Sequence, residues 1–385
     1  MLTARCPSGL VQALGGSFYG TTSDGGANGD GTVFRISSKG KLTTLYSFCQ
    51  QNDCTDGDSP TSGLIQATNG GFYGTTLAGG VHNVGTIFRI TAAGKLKTLY
   101  TFCTQYPCSD GAQPSGPLIQ AADGDFYGTT YRGGYGDFGT IFRVTPKGKL
   151  TTIYTFQGTD GSFPESGLVQ GADGNLYGTT SGGGANNGGT VFTITTSGTL
   201  TTLYSFCAEN LCQDGASPSA GLVQATDGSF YGTTNSGGVA LDGTVFKISS
   251  KGKLSTLYSF CTKTNCADGQ EPVGGLVEAT TGDFYGTTSE GGANLDGTVF
   301  GLAVGLGPFV ETRPTSGKMG AKVVILGNNL NGTTSVTFNG TAAVFEVVSA
   351  SLIKTTVPQG ATTGYVTVTT PKNKLKSNIV FRVKK

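Results

Sequence analysis

Apolar positions along the chain fall into short runs of four to seven residues, cut apart by pairs that contain Gly, Asn or Asp. Glycine is spread so evenly that few windows could hold a long uninterrupted helix. The stretch from residue 63 to residue 102 shows the pattern. Leu64 to Ala67 reads as a first strand, Asn69-Gly70 as a turn and Phe72 to Leu77 as a second strand. A Gly-rich loop runs from Ala78 to Val84, Thr86 to Thr91 is a third strand, and a turn at Ala93-Gly94 leads into a fourth, Leu96 to Phe102. Asn-Gly and Asp-Gly pairs suit hairpins because both central residues take positive φ. In the fourth run Leu96, Thr98, Tyr100 and Phe102 alternate onto one side while Leu99 faces the other, so both faces carry apolar atoms. A four-stranded sheet that is apolar on both faces has to stack between neighbours.

The same pattern recurs. Tyr-Gly-Thr-Thr begins at Tyr19, Tyr73, Tyr127, Tyr177, Tyr231 and Tyr285, at spacings of 54, 54, 50, 54 and 54 residues. Gly-Thr-Val/Ile-Phe follows twelve residues after each Tyr, from Gly31 to Gly297. A Leu/Ile-Tyr-Ser/Thr-Phe run ends at Phe48, Phe102, Phe156, Phe206 and Phe260. Four strands per unit of about 50 residues is the period of a propeller blade. Six units supply strands one to three, but only five supply strand four, because Gly-Leu-Ala-Val-Gly-Leu-Gly-Pro follows Phe300. The expected fold is therefore all-β: a β-propeller of about six four-stranded blades, the last incomplete, over residues 1–306, and an immunoglobulin-like β-sandwich over 307–385. A closing strand would have to lie upstream of Gly9, which suggests a truncated N-terminus; the alternative is that Leu302 to Val310 completes the last blade.

Composition narrows the class. Gly accounts for 65 of 385 residues, charged residues for 13%, and there are 15 Tyr, 22 Phe and no Trp. There is no Gly-X-Y period, so the chain is not collagen-like. No apolar run reaches the 18 residues of a membrane-spanning helix. The rings and the net charge of +1 argue against disorder. Charge is unevenly placed: residues 1–300 carry −7 and residues 301–385 carry +8. The basic tail reads as a solvated face rather than a docking face or a site for an anionic polymer. An acidic propeller without repeated aromatic–basic platforms is not expected to bind nucleic acid.

Eight of the nine cysteines form pairs with four residues between: Cys49 and Cys54, Cys103 and Cys108, Cys207 and Cys212, Cys261 and Cys266. Each pair lies between strand four of one unit and strand one of the next. In the 50-residue unit the run Phe156 to Gly161 has lost four residues and both cysteines together, as disulfide partners would be lost. Closing a six-residue loop contributes roughly 2 kcal/mol. A zinc site would need four ligands in one cluster, whereas each loop offers two and the only histidine is His82. Disulfides imply an oxidising compartment, so an extracellular or cell-surface location is expected. Cys6 has no partner at this spacing.

The Gly-Leu-Val-Gln, Phe-Tyr-Gly-Thr-Thr, Gly-Gly, Gly-Thr-Val-Phe and Leu-Tyr-Ser-Phe units resemble the GloVer tandem repeats of secreted and surface bacterial proteins. Residues Pro314 to Gly317, Val323 to Gly327, Asn329-Leu330, Val336 to Gly340 and Val357-Pro358 resemble an IPT/TIG immunoglobulin-like domain. The resemblance implies a secreted or surface-attached propeller and carries over no activity.

In antiparallel blades the loops after strands two and four emerge on one face, here the Gly-rich loop and the cysteine loop. Long loops on a rigid scaffold are where binding concentrates. One such loop differs from the rest: Tyr131-Arg132-Gly133-Gly134-Tyr135-Gly136-Asp137-Phe138. Tyr131, Arg132, Tyr135 and Asp137 could stack a sugar ring and hold its hydroxyls; ordinary loop variation is the competing explanation. His82 reads as a solvated loop side chain. Asp56, Asp110, Asp160, Asp214 and Asp268 could ring a calcium ion, but each is better placed to cap its own turn. The Gly-Gly pairs precede no helix and no Lys-Ser/Thr, so they are not phosphate loops. No catalytic residue, cofactor or metal is expected. The sequence thus points to a monomeric, non-enzymatic binding, adhesion or scaffolding protein, its partner a cell-surface polysaccharide or another surface protein. The alternatives are a polysaccharide-active hydrolase or lyase, or a lectin.

Overall fold

The structure, a computed structural model, describes residues 5–13, 16–104 and 107–384. The backbone of Cys6 lies in the strand Arg5–Pro7, and its side chain is outside the described residues. Among the described residues no helix is long and apolar enough to cross a membrane. The chain divides into two compact units. One comprises Met1–Leu222, Gly232–Gly275 and Thr288–Thr298; the other comprises Val223–Tyr231, Leu276–Thr287 and Val299–Lys385.

Each repeat is a small antiparallel sheet whose strands lie in chain order. In the second repeat these are Ile65–Gln66, Phe72–Thr76, Thr86–Ile90 and Leu96–Thr101. The third, fourth and fifth repeats have the same order. In the first repeat Arg5–Pro7 pairs with Thr22 and Asp24, beyond the reach of Val11–Gln12 on the same strand. The sixth sheet has three strands: Val277–Glu278, Phe284–Thr288 and Thr298–Leu302. Residues 302–310 do not complete it. The Phe309 N–H donates to the Thr280 carbonyl at 3.1 Å, and Val310 is buried in the C-terminal core.

The fourth strand departs from simple alternation. Ile87 pairs with Tyr100 but Phe88 pairs with Thr98, so Leu99 is an inserted residue, a β-bulge. The bulge reverses the side-chain phase. Leu96 packs with Phe72, Phe88 and Ile90, whereas Leu99, Tyr100 and Phe102 pack with the other core. The expectation that Leu96 and Phe102 share a side is thereby corrected. Bulges recur at Leu45, Ile153, Leu203 and Leu257. The bulge explains one glycine of the following turn: at Gly148, with φ of +95°, a Cβ would stand 2.6 Å from the Leu99 carbonyl oxygen.

The second and third sheets each present one set of side chains to the repeat before and another to the repeat after. Between the first and second repeats, Tyr19, Val33 and Phe48 meet Leu64, Phe72, Phe88 and Ile90. Tyr19 stacks on Phe72 with ring centroids 4.0 Å apart, and Phe48 sits edge-on to Phe88 at 5.2 Å. Tyr73 on Phe126 and Phe102 on Phe142 repeat the arrangement. Burying one such ring contributes about 1.5–3 kcal/mol. In the first, third and fourth repeats the first Thr of Tyr-Gly-Thr-Thr pins the register by donating to a carbonyl of the next repeat. Thr21 reaches Ser62 at 2.8 Å, Thr129 reaches Ser166 at 2.8 Å, and Thr179 reaches Ala220 at 3.0 Å.

A further link runs backward. The Gln120 and Gln170 side-chain oxygens accept the Thr68 and Ala122 N–H groups of the preceding repeat at 2.9 and 3.0 Å. Glu278 takes this role toward Thr226 in the sixth repeat, and burial raises its pKa above the ordinary glutamate value. A raised carboxyl pKa stabilises the fold below the unfolded-state value, and that contribution disappears as pH rises through the folded value. Glu278→Gln should therefore leave urea stability unchanged at acid pH, raise it at neutral pH, and flatten the pH profile. A variant profile that parallels the parent's would contradict this.

The C-terminal residues form a sandwich. One sheet orders Glu311–Arg313, Lys322–Leu326, Leu352–Thr356 and Phe345–Ser349; the other orders Thr341–Ala342, Ser335–Phe338, Val366–Thr369 and Lys374–Lys376. Ser316–Lys318 pairs in parallel with Arg382–Lys384. Alternate residues Val323, Ile325, Val336, Phe338, Ile353, Val366 and Val368 face inward.

Candidate functional site: the cysteine-loop face of the third repeat

The two long loops of each repeat do share a face. The second glycine of the Gly-rich loop donates its N–H to the carbonyl of the second cysteine, in Gly80 to Cys54, Gly134 to Cys108, Gly238 to Cys212 and Gly292 to Cys266, each at 2.9 Å. All four cysteine pairs are joined as disulfides: Cys49–Cys54, Cys103–Cys108, Cys207–Cys212 and Cys261–Cys266. The five recurring aspartates hold these loops in place. Asp56 accepts the Tyr46 hydroxyl at 2.7 Å and the N–H groups of Gln50 and Gln51 at 3.1 and 3.2 Å. Asp214 does the same for Tyr204, Ala208 and Glu209. Asp160 accepts the Tyr154 hydroxyl and the Gln157 N–H. The aspartates cap their turns as expected and point inward to donors, the arrangement of a structural brace. Burial, and then the carboxylate partner, push the tyrosine pKa values up; Tyr100 is pushed to about 12, so it remains a hydrogen-bond donor at neutral pH.

The third repeat adds a polar–aromatic cluster to this frame. The Arg132 guanidinium lies 5.3 Å from the centre of the Tyr131 ring and 5.5 Å from that of Phe163. The two rings are 5.1 Å apart and tilted by 35°. Asp137 accepts from Arg132 at 2.8 Å and from the Gly133 N–H at 2.7 Å, which fixes the guanidinium over the rings. Asp137 itself sits at φ of +61°, beside the turn glycine Gly136. Arg132 and Asp137 are both exposed. The result is two half-buried rings with an exposed guanidinium over them and an exposed carboxylate beside it.

Tyr131, Arg132 and Asp137 are thus brought together, while Tyr135 stands exposed and joins none of these contacts. His82 is exposed on the second repeat's loop. Sequence reading missed Phe163. Its signal was a column comparison: Ser59, Gln113, Ser217 and Glu271 occupy the corresponding positive-φ position, and only the shortened loop places a ring there. Phe138 was also read only as part of the loop. In the first and fifth repeats the matching residues, Asp30 and Asp242, lie within 4.8 Å of the cystine sulfurs. In the third repeat the Phe138 ring covers Gly158, occupying space beside a loop that carries no cystine, and it touches Phe163 edge-on at 6.5 Å.

These features define a class: a β-propeller of tandem four-stranded repeats joined to an immunoglobulin-like sandwich. The family model described as the Gloeobacter/Verrucomicrobia repeat matches residues 3–172 and 166–345, and the chain belongs to that family. The IPT/TIG domain model matches residues 310–383. Among solved structures, a virginiamycin B lyase from Staphylococcus aureus is similar at 16% identity, covering 92% of this chain and 96% of that one with a TM-score of 0.52. A streptogramin B lyase is similar at 15% identity, covering 91% and 93%, with a TM-score of 0.51. At such identities the likeness concerns the fold. No curated protein matches the chain.

Proposed function

We propose that the chain is a binding protein of an oxidising, extracytoplasmic setting, and that it takes a carbohydrate on the cysteine-loop face of its third repeat. The observation that carries this reading is Arg132, held by Asp137 over the rings of Tyr131 and Phe163 in an exposed position. Aromatic faces take the C–H faces of a pyranose, and the guanidinium and carboxylate take its hydroxyls. Because Asp137 and Gly133 already order the loop, little further side-chain entropy is lost on binding. The four disulfides support the extracytoplasmic placement.

The fold is shared with proteins named as lyases, so it accommodates catalysis as readily as binding. The non-enzymatic reading rests on the character of the cluster: an Arg and an Asp paired with each other at the surface have no free base to offer. A polysaccharide array followed by titration calorimetry tests both. Arg132→Ala and Phe163→Ala should each weaken binding about tenfold or more, the equivalent of 1.4 kcal/mol, with unchanged circular dichroism. Undiminished binding in both variants would discard the site. Saturable turnover of a bound polymer would replace the binding role with an enzymatic one.

A further inference from the structure

Each cysteine loop shows two thiol groups in the sequence, and in two repeats the fold delivers a third ligand to them. The residue before Gly-Thr-Val/Ile-Phe faces the cysteine loop that follows its repeat. At Gly188 a Cβ would stand 2.8 Å from the Cys207 Cβ. Beside Cys103–Cys108 and Cys207–Cys212 this position holds Val84 and Gly188, which offer no ligand. Beside the other two cystines it holds Asp30 and Asp242. A carboxylate oxygen of Asp30 and the sulfurs of Cys49 and Cys54 lie within 4.8 Å of one another, and so do those of Asp242, Cys261 and Cys266. Among the described residues these are the two groups of this kind, and both are half-buried.

The backbone holds both sets of ligands without help from the sulfurs. The Cys49 and Cys261 N–H groups donate to Gly57 and Gly269 at 3.2 and 3.1 Å. The Asp30 and Asp242 carbonyls accept from Ser59 and Glu271 at 3.0 and 2.9 Å. Gln270 Nε2 donates to one Asp242 oxygen at 3.0 Å, the kind of outer partner that orients a ligating carboxylate. Asp58 and Asp56 add negative charge around Asp30.

We infer that each of these two loops, once its cystine is reduced, is a site for a borderline-soft divalent cation of the zinc type, held by two thiolates and one carboxylate. Two thiolates and a carboxylate are a donor set that such ions take, with the fourth tetrahedral position left to solvent. Two ligands about 2.3 Å from one ion stand at most ~4.6 Å apart, so the present spread closes by side-chain rotation. Cystine and metal are alternatives for the same sulfurs. A phosphine reductant gives the cystine two electrons and becomes its oxide with oxygen from water; two protons complete the thiols, which release them to solvent as the ion binds. Bound metal in turn withholds the thiolates from reoxidation. The sites lie outside the third-repeat cluster, whose loop carries no cysteine, and do not depend on carbohydrate binding.

Site-resolved alkylation of the full chain tests the proposal. The chain is reduced with a phosphine under inert gas, incubated with cadmium or zinc chloride, pulsed with iodoacetamide and mapped by peptide mass spectrometry. Metal should slow alkylation of Cys49, Cys54, Cys261 and Cys266 about tenfold or more relative to Cys103, Cys108, Cys207 and Cys212. Asp30→Asn should abolish the difference at Cys49 and Cys54 and keep it at Cys261 and Cys266, and Asp242→Asn should do the reverse. Equal protection at all four pairs, protection at none, or protection unmoved by either variant would overturn it. Circular dichroism of each reduced chain should match that of the oxidised parent. A parent that loses its fold on reduction would equally overturn the proposal, because the carboxylates reach the thiols only through the fold.

Discussion

Replacing Phe102 with Ala should cost about 3–5 kcal/mol, the range for emptying a fully buried ring site. Phe102 is wholly buried, lies edge-on to Phe142 at 5.3 Å and to Tyr100 at 5.4 Å, and belongs to the core between the second and third repeats. Its surroundings cannot collapse readily, because its own N–H is tied to the Gly85 carbonyl at 3.1 Å and the facing strand is held in register from both sides. The loss should be local in origin, since each repeat contacts chiefly its neighbours. Native-state hydrogen exchange should therefore show the second and third repeats opening first, ahead of the C-terminal sandwich. A loss under about 1 kcal/mol in urea unfolding would show that the repeats do not depend on one another for burial. A paired control is available in the third strands. Val245→Ala, at a wholly buried site, should cost about 1–3 kcal/mol, whereas Val299→Ala, at a mostly exposed one, should stay within about 0.5 kcal/mol.

Reduction of the disulfides is the second large effect. Each bridge closes a loop with a sequence separation of five, for which chain entropy gives roughly 2 kcal/mol, so four together amount to several kcal/mol. The third repeat supplies an internal reference. Its loop is held by the Gly158–Gly161 hydrogen-bond pair and by Asp160 in place of a cystine. After treatment with a thiol reductant, the amides of Cys49, Cys207 and Cys261, which donate to Gly57, Gly215 and Gly269, should exchange faster. The Gly158 amide should not change. Equal acceleration at all four sites would mean that the reductant acts through global unfolding, and no acceleration would mean that the aspartate braces alone hold the loops.

Much of this architecture could be read from the chain because its cause is local. Asn-Gly and Asp-Gly turns, period-two runs and six copies of Tyr-Gly-Thr-Thr report on hydrogen bonding and burial within about fifty residues, and each copy checks the others. The cysteine pairs were legible for the same reason, through their joint loss in one unit. The bulge at Leu99 was not, since inserting a residue reverses the facing of Leu96 relative to Phe102 without altering composition. The short strands Glu311–Arg313, Ser316–Lys318, Thr341–Ala342 and Lys374–Lys376 were not legible because two or three residues carry no period, and Ser316–Lys318 also owes its extension to a partner far along the chain, Arg382–Lys384. At the candidate site, Tyr131, Arg132 and Asp137 were adjacent enough to be seen as a group. Phe163 was not, because it arrives from the loop of the following connection, 31 residues after Arg132.

The smallness of the covalent loops has a mechanical consequence. With bonded cysteines only five positions apart, the four bridges together withhold roughly 20 residues from a chain pulled by its ends, or about 70 Å at 3.3–3.6 Å per residue. Fully stretched, the oxidised and reduced molecules would thus reach nearly the same length out of more than ~1,200 Å. Under load, oxidation would be felt as a change in the force at which successive modules yield, leaving the extension almost untouched.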